Sequence, residues 1–315
     1  MGFATLSKGV SFDTCLARLG QKGKNVTEAE LAVVRRAYAM QILGAVGVEN
    51  RALEDAFTAV RREDYLGPGP WEIFRWGMAY RATPSADPVY LYTDDLVGLI
   101  PERRVNNGQP QLHAHWIDKA APAPGEHVVH VGTGTGYYTA IMAHLVGETG
   151  RVTGIEYDPE LAARARANFA NRADVTIIEG DGAAVTFDPA DVIYVNAGAT
   201  RPADVWLDNL KDGGRLILPL TTDKAFGDLN RTPSQMVNQG AVLRIERQGD
   251  DYFAKWISAV AIIPCAGTRD EESEKALAKA LVSGRLNEVT RLYRHENVPD
   301  EDCWLKAPGW SLAYK

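Results

Sequence analysis

The chain has 315 residues, of which 45% are hydrophobic and 24% are charged, and its formal net charge at pH 7 is −7. This composition is typical of a globular protein that is large enough for one main domain with appendages. The acidic balance argues against a nucleic-acid partner, because such proteins carry a basic stripe. Cys15, Cys265 and Cys303 lie far apart and form no C-x-x-C pair, so we expect reduced thiols, no metal site and a cytoplasmic location.

Residues 1–30 show no sustained hydrophobic period and are interpreted as an N-terminal extension. No basic start followed by an apolar run is present, and no apolar stretch approaches membrane-spanning length, so we expect no membrane partner. Thr27 and Glu30 have the spacing of a capping box, which predicts a helix directly after them. A second helix is predicted over residues 50–60. The apolar face of the first helix consists of Leu31, Val34, Tyr38 and Ile42.

Residues 71–110 are interpreted as a lid or substrate region. Aromatic residues are crowded here among prolines and acids, which predicts a loop-rich lid packed by its own aromatic side chains. The alternative is the wall of a substrate pocket, because rigid aromatic side chains shape such pockets with little loss of entropy. The aromatic residues are Trp71, Phe74, Trp76, Tyr80, Tyr90 and Tyr92.

The turn Asn107-Gly108-Gln109-Pro110 leads from this region into a helix, because proline suits the first helical position. His113 and His115 are two positions apart on that helix, so they point to different sides and at most one can face a site. We favour His113. Asn107, Gln109 and His113 are therefore the candidate catalytic residues.

The stretch from His127 to Ala143 carries the strongest signal in the chain. A short buried strand is followed by glycines at 132, 134 and 136 and then by an apolar helix that opens near Tyr137. Glycine allows positive φ and close approach of a ligand to the backbone, while the first N–H groups of the helix are unpaired. This pattern predicts a binding site for a polar ligand.

Two nucleotide-type ligands fit a glycine turn after a strand. A dinucleotide fold requires G-x-G-x-x-G, but Tyr137 occupies the position of the third glycine. The spacing G-x-G-x-G is instead the usual turn of S-adenosylmethionine-dependent methyltransferases. A tight turn without any ligand remains a third alternative.

Further strands alternate with helices after this turn. The segment RVTGIE ends in Glu156, a carboxylate placed to accept hydrogen bonds from ribose hydroxyls. Later strands end at Asp181-Gly182 and at Asn196, and an antiparallel hairpin is predicted over residues 241–263. The alternation predicts an α/β fold with a doubly wound, mostly parallel sheet that the hairpin closes. Ligands of such sheets bind at the carboxyl ends of the strands.

Residues 31–267 resemble the protein-L-isoaspartate O-methyltransferase family of class I S-adenosylmethionine-dependent methyltransferases. The resemblance lies in HVVHVGTGTGYYTAIMAHLVG, RVTGIEYDPELAARARANF, VTIIEGDG and DVIYVNAGATRPADVWLDNLKDGGRLILPL. It implies a Rossmann-like methyltransferase fold with S-adenosylmethionine as cofactor. The implied cofactor residues are Gly132, Thr133, Gly134 and Tyr137 at the methionine end, Glu156 at the ribose, Asp181 and Gly182 at the adenine, and also Tyr157 and Asn196.

The chain departs from this family at one position before the second helix. The family usually has an Ile-Ser-x-Pro run there, whose serine hydroxyl lies beside the reacting carboxylate, and Gly108 stands in the serine position. Gly108 cannot donate that hydrogen bond. Asn107, Gln109 or a water replaces it, or the acceptor is not an isoaspartyl residue.

The resemblance implies methyl transfer to a carboxylate of an isoaspartyl peptide or protein, or of another, small acid. A carboxylate is ionised at neutral pH and needs no strong base. For a phenol, hydroxyl or amine acceptor, His113 would be the first candidate base. The alternative hypotheses are a module that binds the cofactor without catalysis and an NAD-dependent oxidoreductase.

Residues 268–315 are interpreted as a helical extension with an aromatic tail. One or two charged helices are predicted over 270–294, and a polar flap is predicted from Thr221 to Asn238. Because exposed aromatic patches are disfavoured, Trp304 and Trp310 predict docking of the tail onto its own domain or onto a mate in a homodimer.

Overall fold

The computed structural model describes residues 26–74, 79–222 and 240–315. The helices are α1 (Glu28–Ala45), α2 (Arg51–Ala59), α3 (Glu63–Leu66), α4 (Pro110–Ala120), α5 (Tyr137–Val146), α6 (Pro159–Asn168), α7 (Asp204–Asp208) and α8 (Glu271–Ser283). The strands are β1 (Glu72–Phe74), β2 (Arg81–Ala82), β3 (Leu96–Ile100), β4 (Val105–Asn106), β5 (His127–Val131), β6 (Arg151–Glu156), β7 (Val175–Glu179), β8 (Ala190–Val195), β9 (Leu210–Thr221), β10 (Gly240–Gln248), β11 (Asp251–Ala259), β12 (Arg291–Tyr293), β13 (Cys303–Ala307) and β14 (Trp310–Ala313).

A ten-stranded sheet in the order β13-β14-β12-β11-β10-β9-β8-β5-β6-β7 forms the centre of the described structure. The five strands from β9 to β7 are parallel, and the others are joined antiparallel. Every residue of β5 is buried, as expected for a strand with both faces covered. The chain runs from β5 outward to β7 and then returns to β8, so a crevice opens at the carboxyl end of β5. The predicted doubly wound α/β fold and its closing hairpin, β10–β11, are confirmed.

The two predicted N-terminal helices are also present. Thr27 and Glu30 form both hydrogen bonds of the capping box at the start of α1. Asn50 caps α2 by accepting a hydrogen bond from the Leu53 backbone. Within the described residues, no helix combines the length and the apolar character that a membrane span needs.

The region 71–110 differs from the loop-rich lid that its composition predicts. It contains a four-stranded antiparallel sheet in the order β2-β1-β3-β4. Trp71 is buried beneath it and donates from Nε1 to the Gly67 carbonyl at 2.9 Å. The strands have two to five residues, which is too short for a periodic signal. Trp76, residues 1–25 and all of the predicted flap except Thr221 and Thr222 lie outside the described residues.

One charged helix, α8, lies within the predicted range 270–294, but the extension after residue 267 is not wholly helical, which corrects the prediction of a helical extension. After α8, the strands β12, β14 and β13 continue the central sheet. Trp310 donates from Nε1 to the Ser273 hydroxyl of α8 at 3.1 Å, and Trp304 donates to the Gly284 carbonyl at 2.8 Å. The tail therefore docks on its own domain. Because both tryptophans are buried there, they no longer support a homodimer interface. The homodimer stays a prediction.

His130 is a fully buried histidine in the middle of the sheet. Its Nδ1 lies 2.8 Å from the Thr139 hydroxyl, and burial lowers its pKa to about 3. In the unfolded chain the pKa returns to about 6.5. Protonation therefore favours the unfolded state, and the stability that the neutral ring contributes is lost as pH falls from 6.5 towards 3.

His130→Asn is expected to reduce this acid sensitivity. The variant keeps a polar atom near Thr139 but removes the titrating group, so the fall in unfolding free energy should become shallower by about 1.4 kcal/mol per pH unit below pH 6.5. Urea unfolding at pH 7, 6 and 5 measures the slope. Parallel slopes for parent and variant would contradict the prediction.

Trp310→Ala is expected to lower the free energy of unfolding by about 3–5 kcal/mol, because it leaves a cavity between β14 and α8. Trp256→Ala is the matched control, since Trp256 is 39% exposed whereas Trp310 is 2% exposed. The loss of unfolding free energy in Trp256→Ala should be clearly smaller in the same urea titration. A loss for Trp310→Ala that is as small as the loss for Trp256→Ala would contradict the prediction.

Candidate functional site

A cleft of about 550 Å³ lies at the carboxyl ends of the parallel strands, between the main sheet and the small sheet β1–β4. It brings together residues that are far apart in the chain. The predicted site residues that line it are Asn107, Gln109, His113, Gly132, Thr133, Gly134, Glu156, Tyr157, Asp181, Gly182 and Asn196. Only Tyr137 of the predicted set is missing from its walls.

The glycine turn between β5 and α5 requires its glycines. Gly132 and Gly134 have φ values of 78° and 58°, in the region that side chains disfavour. A Cβ atom at Gly132 would lie 3.0 Å from the Asn196 carbonyl oxygen, so the neighbouring strand end leaves little space. The Gly134 N–H donates to Oε2 of Glu156 at 2.6 Å. The turn is thereby joined to the end of β6.

Glu156 is a buried carboxylate at this edge of the sheet. Burial raises its pKa, while backbone N–H donors from Asp158 and Gly134 act in the opposite direction. Oε1 accepts from the Asp158 backbone at 3.0 Å. Each carboxylate oxygen can accept more than one hydrogen bond, so Glu156 can still accept from a ligand hydroxyl.

The side chain of Tyr137 does not line the cleft, so the assignment of Tyr137 as a cofactor contact stays a prediction without support from this side chain. It is fully buried, 6.3 Å from the ring of Phe57 and 5.7 Å from the guanidinium of Arg62. Consecutive helical residues point in different directions. Tyr138 is therefore the one that lines the cleft, and its hydroxyl donates to the Gly108 carbonyl at 3.3 Å.

The turn at 107–110 is held by a carboxylate that sequence reasoning missed. Asp94 accepts hydrogen bonds from Nε2 of Gln109 and from the Gln111 backbone, both at 2.7 Å. The buried guanidinium of Arg62 in turn holds this loop by donating to the carbonyls of Thr93 and Asp95. Gln109 is therefore committed to Asp94, and burial raises the pKa of that carboxyl.

Asn107 and His113 keep polar atoms for a ligand. Asn107 is buried, and its Nδ2 has no partner among the described residues. Nδ1 of His113 lies 2.7 Å from the Tyr194 hydroxyl, and its ring stacks on Tyr138 at 3.7 Å. Burial lowers the pKa of His113 well below its ordinary value, so the imidazole is neutral and a weak base.

Residues 260–266, which sequence reasoning did not assign to the site, form one wall of the cleft. Two backbone hydrogen bonds join this wall to the end of β8, from Gly198 N–H to the Ile263 carbonyl and from Cys265 N–H to the Gly198 carbonyl. The extension continues the contact, because the Thr200 hydroxyl donates to the Thr268 carbonyl at 2.7 Å and accepts from Asp270 N–H at 2.8 Å. The sequence signal that could have placed residues 260–266 at the cleft was their position directly after the hairpin.

No group of three His, Cys, Asp or Glu side chains suited to a metal ion occurs within residues 26–74, 79–222 and 240–315. The prediction that the protein has no metal site stays untested.

The sheet order, the glycine turn and the acids at the strand ends define the class as a Rossmann-like fold of the methyltransferase type. A solved protein-L-isoaspartate O-methyltransferase structure superposes with a TM-score of 0.59 at 23% identity, over 83% of this chain and 74% of that chain. A Plasmodium falciparum beta-aspartate methyltransferase in complex with S-adenosyl-L-homocysteine superposes with a TM-score of 0.56 at 17% identity, over 73% of this chain and 97% of that chain. At these identities the likeness concerns the fold alone.

The sequence comparisons identify the family. The profile of the protein-L-isoaspartate(D-aspartate) O-methyltransferase family matches residues 35–245. A protein-L-isoaspartate O-methyltransferase of Thermotoga maritima is 30% identical over 185 residues, which cover 57% of this chain and 53% of the relative. One of Ignicoccus hospitalis is 34% identical over 160 residues, which cover 49% of this chain and 69% of the relative. The chain belongs to the protein-L-isoaspartate(D-aspartate) O-methyltransferase family, and it spans about half to two thirds of the length of these relatives.

The position of the usual family serine lies against the imidazole of His113 in this protein. Gly108 has a φ of 78°, and a Cβ atom there would lie 2.2 Å from Nε2 of His113. Gly108→Ala is expected to lower the free energy of unfolding by about 2–4 kcal/mol, through left-handed strain and overlap with the imidazole. Urea unfolding of Gly108→Ala, His113→Ala and the double variant measures the coupling.

In the His113→Ala background only the strain of the positive φ remains, so the two substitutions should be non-additive by about 1–3 kcal/mol. Additive losses would contradict the contact between Gly108 and His113.

Proposed function

We propose that this protein is a methyltransferase that transfers a methyl group from S-adenosylmethionine to a carboxylate of a peptide, a protein or another acid. The observation that carries the proposal is the single cleft that contains the glycine turn, Glu156 and Asp181 together with the turn at 107–110. Membership of the family supports both the cofactor and the reaction.

The residues of the cleft fit the cofactor. The close approach of Gly132 to the end of β8 leaves backbone rather than side chain at the proposed methionine end. Glu156 retains acceptor capacity for ribose hydroxyls, and Asp181 with Gly182 borders the proposed adenine end. The volume of about 550 Å³ is within the range of small-molecule sites. When bound, the cofactor supplies a methyl group on a positively charged sulfur.

The other end of the cleft favours a carboxylate acceptor. Nδ2 of Asn107 is a donor without a partner among the described residues, and Asp94 is occupied by Gln109 and Gln111. A carboxylate is already ionised at neutral pH. Its oxygen forms a bond to the methyl carbon while the electron pair of the broken carbon–sulfur bond stays on sulfur, so no proton has to leave. The weakly basic His113 is compatible with this reaction and poorly suited to deprotonating an amine or phenol.

Radiolabelled methyl transfer to isoaspartyl peptides and to a panel of small carboxylic acids tests the reaction. We expect turnover with at least one carboxylate. Turnover with any acceptor eliminates the alternative of a module that binds the cofactor without catalysis. Thermal stabilisation by NADH but not by S-adenosylhomocysteine would instead favour the oxidoreductase alternative.

Glu156→Gln is expected to weaken S-adenosylhomocysteine binding by about 10- to 100-fold, because a hydrogen bond to a charged group contributes about 1.5–3 kcal/mol. Isothermal titration calorimetry measures the affinity. Glu160→Gln, at an exposed position of α6, is the control and should bind as the parent does. Unchanged affinity in a folded Glu156→Gln protein would remove Glu156 from the proposed cofactor site.

A further inference from the structure

We propose that His113 donates a hydrogen bond from Nε2–H to the acceptor carboxylate, in the place where the family resemblance expects a serine hydroxyl, and that Tyr194 positions the imidazole for this role. The inference deepens the proposed function and rests on it. His113 would be a catalytic residue because it touches the substrate, whereas Tyr194 would be a positioning residue that acts through it.

The first argument concerns space. A Cβ atom built on Gly108 would meet the edge of the imidazole, at 2.2 Å from Nε2 and 2.9 Å from Cδ2. A side chain at 108 and the Nε2 edge of His113 therefore occupy the same volume. Glycine at 108 leaves room for this imidazole. Nε2 of His113 therefore lies where a serine side chain at 108 would begin.

The second argument concerns the proton. The Tyr194 hydroxyl has one partner among the described residues, Nδ1 of His113 at 2.7 Å. Burial raises the pKa of this phenol well above its ordinary value, so it keeps its proton. If Nδ1 carried the imidazole proton, the buried phenol O–H would have no acceptor, which is costly. Tyr194 therefore donates to Nδ1, and the imidazole proton lies on Nε2.

The third argument concerns orientation. The imidazole stacks on Tyr138 with an interplanar angle of 12° and contacts Trp116 at 5.4 Å between ring centroids. Tyr138 thus holds one face of the ring, while Nε2 forms no hydrogen bond within the described part of the chain. His113 and Asn107 both line the cleft, and Nδ2 of Asn107 is a buried donor without a partner among the described residues. Two donors at this end match the two oxygens of a carboxylate.

In the reaction the proton stays on Nε2 throughout. Nε2–H of His113 donates a hydrogen bond to the acceptor carboxylate while a carboxylate oxygen attacks the methyl carbon. The carbon–sulfur bond breaks, and its electron pair stays on sulfur. The contribution of His113 is alignment of the acceptor.

The kinetic test compares variants at 108 and 113 with the carboxylate that the parent methylates. His113→Leu, which keeps volume and removes the donor, should lower kcat/KM by about 10- to 100-fold. His113→Gln, which offers an amide N–H, should have a kcat/KM at least tenfold higher than that of His113→Leu. Gly108→Ser alone should be impaired by overlap with the imidazole, but Gly108→Ser combined with His113→Ala should be more active than His113→Ala.

The control variant is His144→Ala, at an exposed position on α5, which should keep the parent kcat/KM. Full activity of His113→Leu would overturn the inference, as would a double variant no more active than His113→Ala. In both cases the proposed function would stand, because the parent turns over.

A second measurement does not require turnover. In the parent protein with ¹⁵N-labelled histidine, long-range ¹H–¹⁵N correlation should show His113 as the Nε2–H tautomer, and Tyr194→Phe should lose this preference. A proton on Nδ1 in the parent would overturn the inference. Absence of methyl transfer to every carboxylate would instead refute the proposed function, together with the role that His113 has in it.

Discussion

The hydrogen bond from the Gly134 backbone to the Glu156 carboxylate joins the two strands on which the cleft is built. It forms because β5 and β6 are parallel neighbours, so that the glycine turn and the acid end at the same edge of the sheet. The bond requires a turn in which Gly132 and Gly134 adopt positive φ. The shape of the cleft at the glycine turn is thus determined by backbone geometry, which tolerates few substitutions. At the other end, beside the turn at 107–110, its shape is determined by side chains.

The side-chain end depends on a buried cation. Arg62 is fully buried and binds loop carbonyls on both sides of Asp94. Asp94 then binds the start of α4, which carries His113. Because an unsatisfied buried guanidinium is very costly, the loop has one strongly favoured position. The position of α4, and with it that of His113, therefore depends on this loop.

The parallel sheet and the end of the cleft that contains the glycine turn could be predicted from the sequence, because both have local signals. Alternating glycines after an apolar strand and an acid at the end of the next strand are enough to place Gly132, Gly134 and Glu156. The partners of His113 could not be found in this way, since Tyr194 lies 81 positions away and meets it only through the sheet. The strand β12 has three residues and no period, and it forms because β11 and β14 pair with it. The motif also does not specify which of the two adjacent tyrosine side chains, Tyr137 or Tyr138, lines the cleft.

The wall at 260–266 lies beyond residue 245, where the match to the family profile ends. It is supported by Thr200, Thr268 and Asp270, and through α8 by the docked tryptophans. Substitutions in this remote support therefore alter the shape of the crevice without touching the glycine turn. One wall of the cleft can therefore change in sequence while the segment that matches the family profile is retained.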